Sequence, residues 1–132
     1  MIPKFRAWEP DTEFMNDQVR VTINRFGSDE VWVEATEAFG WKEVDKKYLM
    51  QSTGLKDKND VEIFEGDILG SENKDTENWY VSHHVVVWHD SGFMGKQICS
   101  SSYIGLDYWT KGKAGYVVIG NIYENPELLG AE

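Results

Sequence analysis

The sequence predicts a mainly β protein with minor α (α+β at most), and three observations carry that prediction. Val19-Arg20-Val21-Thr22-Ile23 alternates cleanly between apolar and polar residues, the period of a half-buried strand. Val31-Trp32-Val33, Val85-Val86-Val87-Trp88 and Tyr116-Val117-Val118-Ile119 gather the β-branched and aromatic side chains that fit a pleated surface. Turn-forming sets separate such runs, as in Gly27-Ser28-Asp29, Glu65-Gly66-Asp67 and Asp90-Ser91-Gly92.

Taken in chain order, Phe5-Arg6-Ala7-Trp8 reads as a short strand followed by the turn Glu9-Pro10-Asp11-Thr12. The runs at Val19–Ile23 and Val31–Val33 make a β-meander, with Val19, Val21 and Ile23 on one face. Asp45 is placed to cap a short helix through Met50, and Gly40 interrupts any longer helical period. Thr53 to Ile68 reads as a hairpin whose tip, Asp57-Lys58-Asn59-Asp60, tolerates tight or left-handed turns. Residues 70–78 are polar and read as an exposed loop. Trp79 to His89 is the longest strand expected, and its centre is apolar on both faces, so cover is expected on both sides. Residues 100–115 interleave Ser and Gly with aromatics and read as an ordered loop. Asn125 followed by Pro126 matches an N-cap with Pro at N1, which predicts a terminal helical turn over Pro126–Leu129.

These elements divide into an N-terminal β-rich subdomain over 1–55, with its meander and possible short helix, and a C-terminal subdomain over 56–132. The short strands after Glu65 suit a small closed barrel of SH3-like type, because closure removes exposed edges.

With 132 residues the chain is long enough to bury a core without metal or disulfides. Its 41% hydrophobic and 14% aromatic content excludes disorder. Acids outnumber bases 23 to 13, giving a formal charge of −10. That balance argues against nucleic-acid binding through a general field and fits solubility, or a partner with a basic surface. Cys99 is the single cysteine, so no intrachain disulfide forms and a reducing compartment is expected. The N-terminus lacks an apolar signal core, and no apolar run approaches the roughly 18 residues of a membrane span. The expected location is the cytoplasm of whatever cell makes it, with no membrane partner.

Two strings stand apart from the rest. One runs from Met50 to Asn59 and on through Val61-Glu62-Ile63-Phe64-Glu65-Gly66-Asp67-Ile68. The other is Val118-Ile119-Gly120-Asn121-Ile122-Tyr123-Glu124-Asn125-Pro126-Glu127-Leu128-Leu129. On these strings, with Phe5–Trp8 and Val86–Phe93, the chain resembles the YopX family, small proteins found mainly in phages and in prophages of Gram-positive bacteria. The resemblance implies a largely β fold with an SH3-like C-terminal part and assembly into large homo-oligomers. It supplies no catalytic residues and no cofactor.

The residues themselves offer weak chemistry. His83 and His84 point to opposite faces of an extended segment, and His89 lies roughly 20 Å from His83 at about 3.3 Å per residue. They cannot chelate one zinc within that strand. Glu65 and Asp67, with His84, form a weak candidate polar site, although two carboxylates make a poor cation site and the calcium-loop pattern is missing. The competing reading has Asp67 shaping the turn after Gly66 while Glu62 stays solvated. Thr53-Gly54-Leu55-Lys56 lacks the frame of a phosphate loop, and Cys99 has no neighbouring base to lower its pKa. The six tryptophans exceed what a small core hides. Trp41, Tyr108 and Trp109, in less regular segments, are therefore candidate interface residues.

Three functions are consistent with these features. The first is a non-enzymatic, homo-oligomeric interaction module that binds an unidentified host or phage protein and needs no cofactor. The second is an accessory role in nucleic-acid transactions, as a direct binder or as an acidic mimic of DNA. Mimicry needs the acids of residues 57–77 on one exposed face. Direct binding needs Lys42, Lys46, Lys47, Lys56, Lys58, Lys111 and Lys113 to converge. The third is a small metal-dependent hydrolase built on Glu65, Asp67 and His84.

Overall fold

The computed structural model describes residues 4–23, 25–34, 40–71, 83–89, 92–98, 103–105 and 116–129. Among them the regular structure is antiparallel β, with two short 3-10 turns. The mainly β class predicted from alternation is what the chain adopts. It separates into two compact units, Met1–Gln51 and Ser52–Glu132.

In the first unit, β1 (Phe5–Glu9) pairs with β2 (Phe14–Asn16) and with the first residues of β6 (Leu49–Lys56). The meander is β3 (Val19–Ile23), β4 (Asp29–Glu34) and β5 (Trp41–Val44). Cross-strand pairing sets Val19 opposite Val33 and Val21 opposite Val31. Because side chains alternate between faces, one face of the meander is aliphatic. Val31 and Val33 are buried there with Ala7, and Val19, Val44 and Leu49 pack around them. Ile23, at the end of the same row, stays exposed.

The segment after Asp45 forms a 3-10 turn, Lys46–Tyr48, in place of a longer helix. The cap is as the sequence predicts: the Asp45 carboxylate accepts the Lys47 N–H at 3.0 Å. The turn ends because Leu49 is already extended and Met50 pairs across from Arg6 of β1. Pairing with a neighbouring strand outweighs what a single unsupported helical turn contributes.

In the second unit, the rest of β6 forms a hairpin with β7 (Glu62–Phe64), as the turn residues predict. A five-stranded antiparallel sheet follows, in the order β11 (Tyr103–Gly105), β10 (Gly92–Gln97), β9 (His84–His89), β8 (Asp67–Ser71), β12 (Tyr116–Asn121). Ile63, Leu69 and Val86 form its core, with Phe93 and Val118 against them. Along β9, Val86 is buried, Val85 and Val87 are half-buried, and Trp88 is 56% exposed with its ring edge-on to Phe93. Cover on both faces therefore stops short of Trp88. Residues 79–82 of the long strand expected there lie outside the described residues. The terminal turn is a 3-10 turn, Pro126–Leu128, entered through Asn125. No helix among the described residues is long and apolar enough to cross a membrane.

Candidate functional site

The second unit buries several polar side chains, and they converge on backbone groups. Asp57 sits at the tip of the β6–β7 hairpin yet is buried. One carboxylate oxygen accepts the N–H groups of Asn59 and Val61, at 2.8 and 2.9 Å. The other accepts the N–H of Val118 in β12 at 2.9 Å. A charged acceptor makes such bonds stronger than neutral pairs, which offsets the cost of burying the carboxylate. The residue thus closes its own turn and ties that turn to the last strand.

Gly66 and Asp67 repeat the arrangement one turn further on. Asp67 is buried, and its carboxylate accepts the Phe64 N–H at 2.7 Å. Gly66 has φ of 88°, a left-handed conformation that side chains with a Cβ rarely adopt. Its N–H donates to the Val86 carbonyl at 2.8 Å, and its carbonyl accepts from Ile122 at 3.0 Å. Gly66 therefore bridges β9 and the turn after β12 through its backbone alone.

Asn121 organises the other side of this joint, opposite Asp67 in the β8–β12 register. Its side-chain carbonyl accepts the N–H groups of Tyr123 and Glu124, at 3.0 and 2.9 Å, while its amide donates to the Glu124 carboxylate at 2.6 Å. Asn125 turns its side chain back to accept the Asn121 N–H at 3.1 Å and makes no side-chain cap bond to the 3-10 turn that follows. It occupies the N-cap position and does different work there. Gly120 is required by the same closeness, since a Cβ at that position would lie 2.9 Å from the Asn125 Cβ.

His83 and His84 are both buried, although neighbours in extended chain face opposite ways. The His83 Nδ1 lies 3.3 Å from the Leu128 carbonyl. A carbonyl only accepts, so Nδ1 carries the proton and donates. Burial pushes the His83 pKa below the ordinary 6.5, and the bond to Leu128 offsets this in part. His89 is stacked flat on Tyr103, with ring centroids 3.8 Å apart.

The first unit holds a buried ion pair. Glu9, fully inaccessible, meets the Lys42 ammonium at 3.0 Å and accepts from the Asn16 amide at 2.7 Å. Asn16 also donates to the Glu34 carbonyl at 2.8 Å. Beside the pair lies a cleft of about 200 Å³ lined by Glu9, Asp11, Lys42, Glu43, Asp45 and Tyr48, among others.

The sequence-predicted polar site is only partly gathered. The Leu69–His84 pairing places Asp67 and His84 on one face of neighbouring strands, diagonally related. Asp67 is engaged by the Phe64 N–H, and Glu65 stands in the turn beside it. Glu62 is half-buried and accepts the Ser52 hydroxyl at 2.5 Å, so it is not simply solvated. Among the candidate interface residues, Trp41 is exposed at the start of β5, while Tyr108 and Trp109 lie outside the described residues. Of the acids in 57–77, Asp57 and Asp67 are buried, and residues 72–77 lie outside the described residues.

The two strings that stand out in the sequence are therefore the two sides of one hydrogen-bonded joint. The model of the family described as YopX protein matches residues 4–130. The chain belongs to the YopX family. A crystal structure of protein EF1440 from Enterococcus faecalis is similar, with a TM-score of 0.68 and 32% sequence identity. That similarity covers 98% of this chain and 99% of the other. No curated protein matches the chain. Within this YopX-family chain, sequence reasoning missed the Glu9–Lys42 pair and the burial of Asp57. Both carry charge, and burial of a charge is visible only once its partner is placed beside it. The one available signal for Asp57 was its position four residues before Val61, the spacing of a side chain that closes its own turn.

Proposed function

We propose that this YopX-family chain is a non-enzymatic interaction module that works as a homo-oligomer in the bacterial cytoplasm. Its partner is a host or phage protein met during infection or lysogeny, and its second unit is SH3-like in type. One observation supports this reading above others: large aromatic side chains stand at the surface while the buried acids serve the fold. Trp88 is 56% and Trp41 40% exposed. Asp57, Asp67 and Glu9 are meanwhile engaged by backbone amides, by Asn16 and by Lys42. Exposed tryptophans are uncommon on an isolated monomer and frequent at contacts.

Light scattering coupled to size exclusion tests the reading, at low and high salt and with chelator present. The expected mass is several times the 15.2 kDa of one chain and does not change with chelator. A monomer at micromolar concentration would overturn the oligomer.

A further inference from the structure

The outward face of the β3–β4–β5 meander differs from its aliphatic inner face. Pairing of Arg20 with Trp32 and of Trp32 with Glu43 forms one cross-strand row. Glu34 stands opposite Trp41 in the next row, and Glu30 opposite Thr22 on the other side. Directly opposed side chains on one face lie about 5 Å apart at Cβ, so rings and carboxylates alternate within reach of one ligand. Arg20, Glu34, Trp41 and Glu43 are exposed, and Trp32 and Glu30 are half-buried.

The face already carries one cation of the chain's own. The Arg20 guanidinium lies over the Trp41 ring, 4.6 Å from its centroid, and Trp41 remains 40% exposed with that cation in place. Three acids, Glu30, Glu34 and Glu43, share this face with the two tryptophans, and among the described strand residues of the face Arg20 is the one base. An indole face and a carboxylate side by side suit a guanidinium, which stacks through its plane and forks its N–H groups onto the acid.

We propose that this face binds an arginine-bearing segment of a partner protein. The inference rests on the reading of the chain as an interaction module and names the chemistry of its partner. A second copy is the poorer occupant of this face, because two such faces, each with excess acid, repel one another. Phosphate backbones are repelled for the same reason. Arginine fits better than lysine, since its planar group stacks on a ring while its N–H groups fork onto a carboxylate.

The test titrates a blocked tetra-arginine peptide into the full ¹⁵N-labelled chain and follows the tryptophan indole N–H signals. The same peptide with citrulline in place of arginine is the neutral control. The expected result is saturable movement of the Trp41 and Trp32 indole signals with arginine and none with citrulline. The Glu34→Gln, Glu43→Gln double variant should weaken binding tenfold or more. Glu127→Gln, an exposed acid of the second unit, should leave it within twofold. Absence of saturable shifts, equal response to citrulline, or equal weakening by Glu127→Gln would each overturn the proposal. Such a failure leaves the molar mass of the assembly unaffected, so the two readings fail separately.

Discussion

The carboxylate of Asp57 accepts the backbone N–H of Val118, 61 residues further along the chain, at 2.9 Å. A side chain at a hairpin tip thereby does for β12 what a neighbouring strand does elsewhere. It satisfies a main-chain donor. Asp57→Ala strands three N–H groups and should destabilise the chain by about 2–4 kcal/mol, read from the urea midpoint. Asp57→Asn should rescue little, because its amide nitrogen cannot accept at the second position. Full rescue by asparagine would show that the two-sided acceptance is unimportant.

Gly66 supplies a second point of control. Alanine at φ of 88° meets the left-handed penalty, so Gly66→Ala should cost about 1–2 kcal/mol. Amide exchange should quicken at Gly66 and Ile122, whose N–H groups belong to the same bridge. Unchanged stability would mean that the turn relaxes without cost.

His83 makes stability depend on pH in a defined direction. Its folded pKa lies below the ordinary 6.5 because the ring is buried. Well above pH 6.5 both states leave the ring neutral and it contributes no slope. As pH falls through 6.5, the unfolded chain takes up the proton first, and the folded state loses stability until its own lowered pKa is reached. His83→Asn removes that titration. The difference in unfolding free energy between wild type and variant should be flat above pH 7 and should shift toward the variant below it. A constant difference from pH 7.5 to 5 would refute the assignment.

The Glu9–Lys42 pair should behave as a unit. Lys42→Ala leaves a fully inaccessible carboxylate without its ammonium and should cost roughly 2–3 kcal/mol, the partial exposure of Lys42 reducing the loss. The Glu9→Gln, Lys42→Met double variant should recover most of it. A double-mutant cycle of Glu9→Gln and Lys42→Met, each also made singly, measures the coupling by chemical denaturation, and additivity of the two changes would count against a shared burial.

Local pattern gave most of the architecture. The alternation of Val19, Val21 and Ile23 placed β3, and the Asp57–Asp60 and Glu65–Asp67 turns placed the hairpins, because strand period and turn chemistry are properties of neighbouring residues. Lys46–Tyr48 shortened to a single 3-10 turn because Met50 found a partner in Arg6, a relation that spans more than forty positions. The same limit hid the site. Asp57, Asn121 and Asn125 are ordinary turn residues when read locally, and only the paired strands show what they hold. The exposure of Trp41 was legible from its irregular surroundings, but not the Arg20 beside it, since their meeting depends on the register of three strands.

The long span of the Asp57–Val118 bond also sets an order of events during synthesis. Translation delivers residues at roughly 5–20 per second, so the hairpin tip leaves the ribosome several seconds before its acceptor is used. Until residues 116–122 emerge, the second oxygen of the Asp57 carboxylate and the Gly66 carbonyl face water, and the second unit stays open. Closing it is a late, non-local step of the kind that slows β folds. A nascent chain stalled before β12 would therefore be the form most exposed to proteases and to pairing with other chains.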